Sequence, residues 1–98
     1  MKARPLVDRR IVLTETVFAE LVLWELPAPL AGSPHRFKYR LALVAGGACV
    51  LQYDNEAGKG DHLHDEGGER PYRFGGVDGL IADFMADARR WLDEHRDA

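Results

Sequence analysis

The sequence predicts an α+β fold: an antiparallel β-sheet of about 4–5 strands packed against one C-terminal α-helix. Three observations carry that prediction. Short runs rich in β-branched and aromatic residues fill the front of the chain, punctuated by proline and glycine. Ala45-Gly46-Gly47, between two such runs, marks a hairpin, because paired glycines supply the positive φ that tight turns require. From Val77 onward apolar residues recur at helical instead of alternating spacing.

Taken in order, Arg10-Ile11-Val12-Leu13-Thr14 is a first strand behind a basic leader, with Glu15-Thr16 as the tight connection out of it. Val17 to Leu26 is a longer strand in which Glu20 and Glu25 interrupt the apolar pattern on opposite faces. A helix competes for this run, since Leu and Ala propagate helices well. Pro27 and Pro29 end it either way, and residues 27–34 form a loop. In the next strand Phe37, Tyr39, Leu41 and Leu43 point one way, and Lys38, Arg40, Ala42 and Val44 the other. Beyond the glycine turn, Cys49 to Asp54 runs back antiparallel and carries Tyr53, Asp54 and Asn55 toward the Arg36–Arg40 end of its partner. Residues 58–68 read as loop, because they are glycine-rich and polar without apolar periodicity. Pro71-Tyr72-Arg73-Phe74 is a brief strand or extended link.

Val77, Leu80, Ile81, Phe84, Ala88, Trp91 and Leu92 then form one stripe on a helix. Acids in its first half and Arg89, Arg90 and Arg96 in its second suit the helix dipole. Trp24, Phe84 and Trp91 lie on apolar patterns and belong in the core.

Ninety-eight residues, 46% hydrophobic and 30% charged, make one globular domain spanning 1–98. A net charge of −3 speaks against a surface that binds nucleic acid all over. The charge is uneven, however: Lys2, Arg4, Arg9 and Arg10 face one acid, Asp8, near the start. Asp78, Asp83, Asp87, Asp93, Glu94 and Asp97 outnumber the helix arginines near the end. The single cysteine, Cys49, precludes an intrachain disulfide and reads as a packed thiol within Ala48-Cys49-Val50-Leu51. With no signal-like start and no run of membrane-spanning length, the expected location is cytoplasmic, away from membranes.

The chemistry concentrates between Tyr53 and His64. His62 and His64 are two apart and project to one side of an extended segment. Such a pair suits general acid–base catalysis near neutral pH, or metal binding with Asp54, Asp61 or Asp65, or plain surface decoration. Gly58-Lys59-Gly60 lacks the Ser or Thr of a Walker loop, and Asp61 follows it, which argues against nucleotide binding. Lys59 can still reach a single phosphodiester or form a solvated turn. The run Arg36-Phe37-Lys38-Tyr39-Arg40 interleaves cations with aromatics, a composition that suits RNA. If Phe37 and Tyr39 face the core, only Lys38 and Arg40 remain for a ligand.

Four segments together resemble the TumE family of small bacterial toxins. They are His35-Arg36-Phe37-Lys38-Tyr39-Arg40-Leu41, the Tyr53-Asp54-Asn55-Glu56-Ala57-Gly58-Lys59-Gly60-Asp61-His62-Leu63-His64 core, Pro71-Tyr72-Arg73-Phe74 and an Asp83-Phe84 helix. The resemblance covers about Ala19 to Trp91. Leu63 departs from a position that is often basic in the family pattern and so removes one phosphate contact. The resemblance implies the toxin half of a toxin–antitoxin pair whose antitoxin carries a helix-turn-helix domain.

The combined reading is a toxin acting on RNA as a metal-independent endoribonuclease without a cofactor. His62 and His64 serve as base and acid, Lys59, Lys38 and Arg40 neutralise phosphate, and Asp61 or Asp54 orients a histidine. Tyr53 and Asn55 contact the RNA. The rival readings are a non-catalytic module that binds its antitoxin or another partner, and a metal site of His62, His64 and Asp54. A homodimer stays open.

Overall fold

The computed structural model describes residues 2–56 and 58–95. Six strands follow one another as an antiparallel meander: β1 (Arg4–Val12), β2 (Val17–Glu25), β3 (Phe37–Ala45), β4 (Ala48–Asp54), β5 (His62–Asp65) and β6 (Gly68–Pro71). The helix α1 (Val77–Glu94) closes the chain. The fold class is the expected one, with a larger sheet.

The sheet is larger in two places. β1 begins at Arg4, so the basic leader is itself an edge strand, with charged side chains of the kind that protect a free edge. Residues 58–68 are not all loop, because His62–Asp65 and Gly68–Pro71 pair as a hairpin. Its turn is fixed by Asp65, whose carboxylate accepts the Gly67 N–H (2.8 Å) and a two-pronged Arg70 contact (3.0 and 2.7 Å). Leu63 is the only apolar side chain in β5, too little to register as periodicity. It points into the core at 8% exposure, so this position does not face a phosphate surface.

The central hairpin forms as expected. Gly46 and Gly47 both have positive φ (57° and 82°), and Arg40 pairs with Asp54 and Leu41 with Tyr53. Alternation then sorts the sheet. Ala19, Leu21, Leu23, Tyr39, Leu41, Leu43, Leu51 and Tyr53 are buried on one face against Leu80, Phe84 and Ala88 of α1. Helix charge only partly follows expectation: Asp78 is in the first turn, but no basic residue is in the last. Arg96, expected to contribute there, lies outside the described residues, as do Met1, Ala57, Asp97 and Ala98.

Among the described residues the second face carries no helix, and this corrects two further expectations. Trp24, paired with Lys38, is half-buried on that open face and is not part of the core cluster. Cys49 is exposed, opposite Val44 beside a bulge in β3–β4. Phe84 is fully buried, and Trp91 packs at the rim with its indole N–H on Glu66 (2.8 Å). Among the described residues no helix is long and apolar enough to cross a membrane.

Candidate functional site

The strand register aligns side chains across the open face. One row reads Asp8, Val22, Arg40, Asp54, His62 and Pro71; the next reads Arg10, Glu20, Ala42, Gln52, His64 and Glu69. Lys38 follows beside Arg40 on the same side. The sheet therefore brings His62, His64, Asp54, Lys38 and Arg40 onto one surface.

His62 is the most constrained of them. Its Nε2 lies 2.8 Å from Asp54 and 3.4 Å from Glu69, while its Nδ1 faces the Gly60 carbonyl at 3.0 Å. Both ring nitrogens meet oxygen atoms, so the ring is held at both ends. Gln52 donates to the other oxygen of Asp54 and holds that carboxylate in place. His64 is exposed and free of hydrogen bonds and ion pairs among the described residues. Two residues of strand separate the imidazoles by roughly 6.7 Å along the chain. Lys59 is exposed, 3.7 Å from Glu56, and lines with His62 and Glu69 a cleft of about 340 Å³.

The remaining candidates are placed differently. Asp61 does not reach His62. Its Oδ2 accepts from the Tyr39 hydroxyl (2.7 Å) and meets His35 Nε2 (2.8 Å), with the side chain 8% exposed. The Phe37 N–H donates to His35 Nδ1 (3.1 Å), which leaves the proton on Nε2 to donate to Asp61. His35 also stacks on Phe74, with ring centroids 3.9 Å apart. Within the sequence His35 was legible only as the head of the family-like run, because its partner is 26 residues away.

Asn55 is 1% exposed: its Oδ1 accepts the Tyr39 N–H (3.0 Å) and its amide donates to the Phe37 carbonyl (2.5 Å). Tyr53 is 2% exposed, faces α1 and donates to Asp87. Neither offers a surface to RNA; both act as supports beneath the site. Tyr72 likewise donates to Asp83 (2.6 Å), so each of the three tyrosines is bound to an aspartate. Burial, reinforced by those carboxylates, pushes all three phenols above their ordinary range.

Behind the site, the glycine segment docks on the proline-rich loop. Gly58 N–H donates to the Ala31 carbonyl (2.7 Å), and a Cβ on Gly32 would meet the Gly58 backbone at 3.3 Å. The glycines thus serve close backbone approach. Among the described residues no group of three or more His, Cys, Asp or Glu is placed to hold a metal ion, so the alternative set of His62, His64 and Asp54 is not assembled as one.

A family model described as Toxin TumE matches residues 2–92. No curated protein and no solved structure gave a match.

Proposed function

The chain belongs to the TumE toxin family, and from that premise we propose that it acts on RNA as a metal-independent endoribonuclease through the open face of its sheet. One observation carries the reading: the strand register sets Arg40 in one row with Asp54 and His62, with Lys38 beside that row on one side and His64 on the other. His64, exposed and unpartnered among the described residues, removes the proton from a ribose 2′-hydroxyl. The 2′-oxygen then bonds to the adjacent phosphorus, the bond from phosphorus to the 5′-oxygen breaks, and a 2′,3′-cyclic phosphate forms. His62, held between Asp54 and the Gly60 carbonyl, returns a proton to the leaving 5′-oxygen. Arg40, Lys38 and Lys59 neutralise the extra charge on phosphate in the transition state. Toxins of this kind act with an antitoxin, and a helix-turn-helix partner fits the family reading.

The test is RNA cleavage and growth inhibition by His62→Ala and His64→Ala proteins. Each change is expected to lower cleavage by roughly 10²–10⁴-fold. Wild-type cleavage by both variants would refute the assignment. A second reading is favoured by the 9% exposure of His62: the ring pins β4 to β5 and the face only binds a partner. In that case His62→Ala lowers Tm, and wild-type protein cuts no RNA while co-purifying with its antitoxin.

A further inference from the structure

Beside the histidines, the open face carries two parallel stripes that extend beyond the residues the chemistry above uses. Arg36, Lys38 and Arg40 alternate with the inward-facing Phe37 and Tyr39, and all three are exposed. None has an ion-pair partner among the described residues. Across the β2–β3 pairing, Val22 lies opposite Arg40 and Trp24 opposite Lys38, while the Leu26 N–H donates to the Arg36 carbonyl at 2.7 Å. Val22, Trp24 and Leu26 are half-buried and outside the core cluster, so a basic stripe and an apolar stripe run side by side.

We infer that these stripes form a track for single-stranded RNA, with phosphates along Arg36, Lys38 and Arg40 and an unpaired base stacked on Trp24. This rests on the reading of the face as an RNA surface. Alternate strand residues stand about 6.7 Å apart, close to the step between successive phosphates of an extended strand. Unpaired cations at that repeat match a polyanion of regular charge. An indole at neighbouring register supplies the flat apolar surface on which an unpaired base stacks, whatever its identity. A duplex cannot use it, because its base faces are covered by their neighbours. Phe18, the other aromatic of this face in β2, already has the Arg10 guanidinium 3.8 Å from its ring centroid. The track also has a direction. Arg40 shares a row with Asp54 and His62, two strands away at roughly 9.6 Å, so RNA lying along β3 passes within about two nucleotide steps of the histidine.

The experiment uses the full chain carrying His62→Ala to prevent cleavage and Trp91→Phe to leave Trp24 as the sole indole. The probes are an oligouridylate, the same strand annealed to its complement, and an acidic peptide of equal charge. Expected are quenching of Trp24 fluorescence by the single strand alone and about ten-fold or greater weakening of labelled-RNA binding in Trp24→Ala. Trp24→Phe should retain most of the affinity. Arg36→Ala and Lys38→Ala should each reduce the salt dependence of binding, the logarithmic slope falling by about 0.7. Equal binding of the duplex, preference for the peptide, or unchanged affinity in a folded Trp24→Ala protein overturns the track. Its failure is separable from failure of the catalytic reading. Quenching together with undiminished cleavage by the histidine variants removes only the catalytic roles. Lost cleavage in those variants with unchanged Trp24→Ala binding removes only the track.

Discussion

Asn55 does its work out of reach of any ligand. Its side chain replaces the strand partner that Phe37 and Tyr39 lack beyond the end of β4, satisfying a carbonyl and an N–H in the interior. Asn55→Ala is therefore expected to cost about 2–3 kcal/mol, because it leaves two buried backbone groups unpaired. Chemical denaturation measures this, and a loss below about 0.5 kcal/mol would mean that water replaces the amide without penalty. Asp65 works at the surface. Its bond to Arg70 holds the carboxyl below the usual carboxylate range, so the contribution of Asp65 is present above pH 4 and fades as pH falls through the lowered value. In Asp65→Asn protein, the decline of Tm as pH falls below about 4 should be shallower than in the wild type.

At the scale of elements, the helix and the β3–β4 hairpin hold the sheet in one register. Phe84 is wholly buried and meets the Tyr53 ring edge-on, centroids 5.6 Å apart. Phe84→Ala should cost about 3–5 kcal/mol by equilibrium unfolding, enough to threaten folding of so small a domain. These two elements were also the most legible in the sequence, since seven apolar residues share a helical stripe and two glycines sit between alternating runs. β5 and β6 were not legible, because Leu63 alone faces the core and the rest is polar. The start of β1 was hidden for the same reason. The location of the histidines could be read, and so could the pairing of Arg40 with Asp54 that follows from the hairpin. Which side of the sheet each residue faces relative to α1 could not, and that decides that Tyr53 is buried and Trp24 is not.

For the whole molecule, one helix of 18 residues, about 27 Å long, covers only one side of a six-stranded sheet. The fold thus separates support from display: the core side chains and tyrosines lie on the helix side, and Lys38, Arg40, His62 and His64 stand on the open side. The tyrosines on the supporting side have a consequence for how this protein can be handled. Each phenol is neutral and bound to a carboxylate, and its raised value means that alkali favours the unfolded chain, where tyrosine ionises near pH 10. Stability is whole below that pH and falls as pH climbs beyond it. In a stopped-flow jump to strong alkali, the phenolate signal of the buried Tyr39 and Tyr53 should therefore grow at the rate of unfolding, behind any fast rise from Tyr72, whose bond to Asp83 is at the surface. A fast rise of the whole band would show that the buried hydroxyls exchange with solvent in the native state. The same band gives a label-free clock for every variant named above, since a substitution that loosens the fold advances the colour change and one that only alters the open face leaves it alone.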